Sequence, residues 1–69
     1  MVKKGDVILI TEGSDSNKKY KIEERLDDFA HGEGGWKCIE LNTDESNIWR
    51  ISDRYLKVQI QRGVITIVN

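Results

Sequence analysis

Hydrophobic and polar residues alternate along several short stretches of the chain, and this period of two is typical of half-buried β-strands. The clearest case is Leu56, Val58 and Ile60, which alternate with polar residues. Other stretches, such as residues 6–11, are short runs of β-branched and aliphatic residues next to turn residues, which also indicates strands. We interpret six stretches as strands: residues 6–11, 19–26, 36–42, 48–52, 56–61 and 64–68. Most of the segments between them are rich in Gly, Ser, Asp and Asn, which favours loops. The predicted loops include residues 12–18, 27–35 and 43–47.

Residues 19–26 also fit a helix, because Ile22, Arg25, Leu26 and Phe29 would share one helical face. We favour the strand, since the alternation runs over the whole stretch. A single helical turn is predicted at residues 53–55, with Ser52 or Asp53 as its N-cap. The pattern as a whole predicts one all-β domain over residues 1–69, a closed or nearly closed small barrel of five to six short antiparallel strands.

Two stretches resemble an SH3-type small barrel. In the first, residues 3–10 (KKGDVILI), a basic turn with a Gly–Asp pair leads into a strand of alternating hydrophobics. In the second, residues 35–60, Trp36 opens a strand, a polar hairpin follows, and Tyr55 occupies a helical turn before a closing strand. The resemblance implies an SH3-like barrel fold.

The chain departs from SH3 domains that bind proline-rich peptides. Those domains carry a long acidic loop before the Gly–Asp turn and a proline before the short helix, where this chain has Ser52. Of the aromatic residues that form the peptide-binding surface of those SH3 domains, Trp36 and Tyr55 alone have counterparts here. The arrangement is more similar to the Tudor-like and KOW-like barrels, which bind proteins or nucleic acids, so the resemblance leaves the function open.

The composition excludes several kinds of site. Cys38 is the only cysteine and His31 the only histidine, so neither an intramolecular disulfide nor a four-ligand Cys/His zinc site can form. We interpret Cys38 as a small buried thiol, and the lack of disulfides favours a reducing compartment such as the cytoplasm. No nucleophile has a partnered base and no metal-ligand spacing is present. We therefore expect no enzymatic activity, no metal or cofactor, and no membrane-spanning segment.

The formal net charge of -1 hides an uneven distribution. Residues 1–26 carry six basic and five acidic side chains, residues 27–45 one basic and six acidic, and residues 46–69 four basic and one acidic. An acidic surface attracts basic partners and speeds their association. Our first hypothesis is therefore a protein-binding module, a regulator or inhibitor, that uses the acidic middle of the chain together with exposed aromatic residues.

The candidate protein-binding residues are the acids of residues 27–45 and three aromatics. They are Asp27, Asp28, Phe29, Glu33, Trp36, Glu40, Asp44, Glu45 and Tyr55. Phe29 would be an apolar anchor among acids, or would instead fold back onto the barrel. A chain this short also resembles the small regulators made by phages and mobile elements.

The alternative hypothesis is a nucleic-acid-binding barrel with a basic C-terminal face. Cations that follow phosphates, interleaved with an aromatic ring that stacks on bases, are typical of such surfaces. The candidates are Arg50, Arg54, Lys57, Arg62 and Trp49. The lack of a net basic charge argues against this hypothesis. The strand at residues 64–68 could in addition pair with a second copy to form a homodimer.

Overall fold

The computed structural model describes residues 2–30, 32–44 and 47–68. Within these ranges the chain forms five antiparallel strands and one short helix. The elements are β1 (Val7–Ile10), β2 (Lys19–Ala30), β3 (Glu33–Glu40), β4 (Ile48–Ser52), α1 (Asp53–Gln61) and β5 (Ile65–Ile67). The strands pair in the order β4-β3-β2-β1-β5. The prediction of a small all-β fold is confirmed.

The predicted strand at residues 56–61 is wrong, because α1 continues from the predicted helical turn through Gln61. Ser52 is the N-cap, and its hydroxyl accepts a hydrogen bond from the backbone N–H of Tyr55. Leu56 and Ile60, four residues apart, both pack against the core. Val58, which a strand would place on their face, is 40% exposed. In so short a segment, the same apolar residues fit the strand period of two and the helical period of 3.6. The Ser52 cap and the packing of Leu56 in the core stabilise the helix.

The predicted loop at residues 27–35 is also wrong over most of its length, since β2 extends to Ala30 and β3 begins at Glu33. The strand interpretation of residues 19–26 is confirmed, and residues 19–30 and 33–40 form one long hairpin. Two register shifts interrupt its ladder, between Ile22 and Glu24 and between Leu26 and Ala30. These irregularities break the simple alternation on which the prediction depended.

One face of the sheet, the inner face, packs on the core, and α1 lies against β3, β4 and β5. The buried hydrophobic residues are Ile8, Ile10, Tyr20, Ile22, Cys38, Ile51, Leu56 and Ile65. Residues that alternate with them, such as Lys19, Lys21 and Arg50, lie on the opposite, outer face. No helix in the part of the chain that the structure describes is long and apolar enough to cross a membrane.

Candidate functional site

A groove of about 440 Å³ opens on the protein surface between the β1–β2 loop, the start of β4, α1 and β5. It brings together residues from β1, β2, β4, α1 and β5 and from the β1–β2 loop. Its lining residues are Ile10, Glu12, Gly13, Ser14, Asp15, Tyr20, Asn47, Ile48, Trp49, Tyr55, Val64 and Ile65. We call this surface the aromatic groove.

Three aromatic side chains from three elements contact one another in series along the aromatic groove. The ring centroids of Tyr20 and Trp49 are 5.0 Å apart with a tilt of 52°. The rings of Trp49 and Tyr55 meet edge to face, with centroids 6.1 Å apart. Tyr20 is almost fully buried, Trp49 is half-buried and Tyr55 is 45% exposed. Aromatic surface therefore runs from the core out to solvent.

The β1–β2 loop places two carboxylates, Glu12 and Asp15, on the wall of this groove. The Lys18 ammonium lies 3.0 Å from the Asp15 carboxylate, and this hydrogen bond raises the pKa of Lys18. Glu12 and Asp15 are both exposed, and among the described residues that line the groove none is Lys or Arg. Carboxylates beside exposed rings make this surface suitable for a cationic side chain.

Glu40 strengthens the negative character of the same region. It is the in-register neighbour of Tyr20, and its carboxylate accepts a hydrogen bond of 2.8 Å from the Asn47 side chain. Burial raises the pKa of the Tyr20 phenol, and the Glu40 charge raises it further. The phenol therefore stays neutral at physiological pH.

The start of α1, which carries Tyr55, is held by side chains from the β2–β3 hairpin. Arg25 donates two hydrogen bonds of 2.7 and 2.8 Å to the two carboxylate oxygens of Asp53. The Glu33 carboxylate accepts a hydrogen bond of 2.8 Å from the backbone N–H of Arg54. The Glu33 and Ser52 side chains thus satisfy the backbone N–H groups of Arg54 and Tyr55 in the first helical turn, and the Arg25–Asp53 pair joins that turn to β2.

Arg25 also lies over an aromatic ring of the chain itself. Its guanidinium carbon is 4.9 Å from the ring centroid of Trp36. Gly34 leaves room for this arrangement, because a side chain there would collide with the Arg25 guanidinium. The Asp53 carboxylate completes the arrangement, and its pKa is lowered by the hydrogen bonds from Arg25. The chain thus contains one arginine held between a tryptophan face and a carboxylate.

The structure distributes the predicted protein-binding residues over several places. Asp27, Asp28 and Phe29 lie near the end of the β2–β3 hairpin, and the Phe29 ring lies against Gly35. Glu33 caps α1, Trp36 lies under Arg25, and Asp44 is exposed in the β3–β4 loop. Tyr55 lines the aromatic groove and Glu40 lies next to it. Glu45 and His31 are outside the described residues.

The alternative basic face is divided as well. Arg50 lies on the outer face of β4, whereas the neighbouring Trp49 lies on the inner face against Tyr20. Arg54 and Lys57 are exposed on α1, and Arg62 follows its last turn. Trp49 therefore contacts the tyrosines and is not interleaved with these cations.

Tyr20, Glu12 and Asp15 were missed from the sequence. Tyr20 looked like an ordinary strand residue, and the acids looked like ordinary loop charge. Nearly thirty positions separate Tyr20 from Trp49, and pairing of β2, β3 and β4 brings them together. No local pattern reports that pairing, although a loop with two acids directly before an aromatic strand residue was a weak signal.

Cys38 is fully buried on the inner face, which confirms the interpretation as a buried thiol. Burial raises the pKa of the Cys38 thiol to about 11, so the thiol is protonated at neutral pH. Among the described residues no group of three His, Cys, Asp or Glu side chains is placed to hold a metal ion. No known family model, curated protein or solved structure matches the chain.

Proposed function

We propose that the protein is a non-enzymatic protein-binding module whose aromatic groove receives a basic segment of a partner protein. The observation that carries the proposal is the series of Tyr20, Trp49 and Tyr55 beside the exposed carboxylates of Glu12 and Asp15. An arginine or lysine side chain could stack on Trp49 or Tyr55 while its charge approaches a carboxylate.

The chain's own Arg25 supports the chemistry. It lies on Trp36 and binds the Asp53 carboxylate in two hydrogen bonds. The aromatic groove offers the same two ingredients, an aromatic surface and carboxylates, with Lys18 as a cation at its border. A basic side chain of the partner would lie on the rings of Trp49 and Tyr55 in the way that Arg25 lies on the ring of Trp36. At exposed sites such a contact contributes about 0.5–1 kcal/mol, and about 2 kcal/mol when water is excluded.

The SH3-like resemblance fits this proposal. The first strand lies between β2 and the last strand, and a short helix separates β4 from β5. α1 packs against both β4 and β5, the two ends of the strand order. We infer that the fold is a small SH3-like barrel, with the groove bounded by its first loop and its helix.

The test compares two variants on the same helix. Tyr55→Ala removes an exposed ring of the groove, whereas Val58→Ala removes a similarly exposed side chain outside it. The probes are short dye-labelled peptides with Arg among aliphatic residues, and matched peptides with neutral Gln in place of Arg, in fluorescence anisotropy titrations. We expect Arg peptides to bind and Tyr55→Ala to weaken binding about tenfold, since losing about 1.4 kcal/mol changes the affinity tenfold.

Glu12→Gln is expected to weaken the same binding to a smaller degree and to reduce its dependence on salt. Equal affinities for Arg and Gln peptides would contradict the proposal. So would equal effects of Tyr55→Ala and Val58→Ala.

A further inference from the structure

The outer face of β2, β3 and β4 carries a second surface with the opposite charge to the groove. In one row across the strands, Lys21 pairs with Ile39 and Ile39 with Ile48. In the next row, Glu24 pairs with Lys37 and Lys37 with Arg50. We call the cations and isoleucines of this surface the outer patch: Lys19, Lys21, Lys37, Ile39, Ile48 and Arg50.

The outer patch concentrates positive charge in a chain whose net charge is -1. It contains four cations and two acids beside them: Glu24 lies in its second row, and the exposed Glu23 at the neighbouring register shift lines a shallow pocket with Lys21 and Glu24, so the cations are in excess. Within the described ranges, ion pairs join Lys18 to Asp15 and Arg25 to Asp53, and neither pair involves a cation of the patch. The charge of the patch therefore faces solvent and attracts acidic groups.

Aliphatic surface lies between these cations. Ile48 is 47% exposed, and Ile39 beside it is half-buried on the outer face. With about 4.8 Å between neighbouring strands, the three strands present a surface about 10 Å wide. That width suits one extended segment or one face of a short helix.

We propose that the outer patch binds an acidic segment of a partner protein in which carboxylates lie beside aliphatic side chains. The carboxylates would meet Lys21, Lys37 and Arg50, and the aliphatic groups would cover Ile39 and Ile48. Nucleic acid fits less well, because the patch offers no aromatic ring for bases and phosphates leave the isoleucines uncovered. The protein would then bind two chemically different segments, a basic one in the groove and an acidic one on the outer patch.

The proposal is tested by charge reversal with a matched control. Lys21→Glu with Lys37→Glu changes the patch, whereas Lys57→Glu with Arg62→Glu makes the same change in net charge elsewhere. The probes are a short peptide of alternating Glu and Leu, its counterpart of alternating Lys and Leu, a single-stranded DNA oligonucleotide and vesicles of anionic phospholipid. We expect the Glu–Leu peptide to bind wild type and the control, and to bind the patch variant about tenfold or more weakly.

Changes in the NMR chemical shifts of the backbone amides of wild type supply a second readout that needs no variant. On adding the Glu–Leu peptide, shifts should concentrate in the outer-patch strands and not at Tyr55. Tyr55→Ala should bind this peptide like wild type, so that a failed groove proposal leaves this one standing. Equal weakening in both double variants would overturn the proposal. Tighter binding of DNA or vesicles, or no binding of the Glu–Leu peptide, would also overturn it.

Discussion

Trp36 and Trp49 lie on the same face of adjacent strands, both half-buried, and their surroundings differ in one respect. Trp36 is covered by the guanidinium of Arg25, which also binds Asp53. Among the described residues, Trp49 contacts the rings of Tyr20 and Tyr55, and it lines a groove that also contains Glu12 and Asp15. The ring of Trp36 is thus covered by a side chain of the same protein, whereas the ring of Trp49 borders the groove. The same residue type thus takes part in a contact within the fold at Trp36 and, in our proposal, in partner binding at Trp49.

The largest expected effect is a loss of stability on substituting Gly35, the residue directly before Trp36. A side chain at Gly35 would collide with the backbone carbonyl of Ile51 on β4 and crowd Phe29. We expect Gly35→Ala to lower the free energy of unfolding by about 3 kcal/mol, because backbone on a paired strand cannot easily move aside. Urea unfolding followed by circular dichroism measures this loss.

The control is Gly34→Ala, where the added carbon meets the mobile end of Arg25. Arg25 can swing away from Trp36, so the loss should be clearly smaller. Equal losses in the two variants would contradict the assignment of Gly35 as the tight contact.

A second prediction concerns Cys38, which pairs in register with Trp49 and is two residues from Trp36. Its pKa is raised from 9.0 to about 11 in the folded state, so the unfolded chain loses the thiol proton first as the pH rises. The folded state is therefore expected to lose stability between pH 9 and pH 11. Urea unfolding across that range, compared with Cys38→Ala, should show a steeper decline in wild type. Parallel declines would contradict the prediction.

A third prediction addresses the contact that covers Trp36. Arg25 lowers the pKa of Asp53, so this carboxylate stabilises the fold above its unfolded pKa, and the stabilisation is lost as the pH falls through the folded value. Asp53→Asn should be less stable than wild type at neutral pH. The pair is well exposed, so we expect a smaller effect than that of Gly35→Ala.

The difference between wild type and Asp53→Asn should disappear once both carry a neutral side chain, below the pKa of the folded carboxylate. Urea unfolding at neutral and strongly acidic pH measures it. A difference that persists at acidic pH would mean that the carboxylate charge is not its source.

The smallest expected effect is a change in the fluorescence of Trp49 when an Arg peptide binds. In a Trp36→Phe variant, Trp49 is the remaining tryptophan, and adding an Arg peptide should shift or quench its emission. In a Trp49→Phe variant, the emission of Trp36 should stay constant, because Arg25 already covers that ring. A response of Trp36 alone would contradict the placement of the binding groove.

The parts of the fold with plain alternation could be predicted from the sequence. The buried position of Cys38 follows from the alternation in residues 36–42, and the first strand follows from its run of β-branched and aliphatic residues. The short strand at residues 48–52 was also predicted. The helix over residues 56–61 was missed because Leu56 and Ile60 satisfy both a period of two and a spacing of four. The hairpin beyond Leu26 was missed because its register shifts interrupt the alternation.

The candidate site was less accessible to prediction. Tyr55 was among the candidates, yet its contact with Trp49, and the contact of Trp49 with Tyr20, depend on how distant segments of the chain pack together. Glu33 was identified as a surface acid, although its carboxylate binds the start of α1. The charge of a residue follows from the sequence, whereas the group that its side chain contacts depends on the fold.

The pairing of β1 with β5 has a consequence for how the molecule is made. Ile8 pairs with Ile67, so the sheet joins residues from opposite ends of the described chain. During synthesis β5 leaves the ribosome after every other strand, and until then β1 lacks one of its two neighbours. Ile65, the first residue of β5, and Val64, which precedes it, also line the aromatic groove. The aromatic groove should therefore be complete only after β5 has been synthesised and has paired with β1.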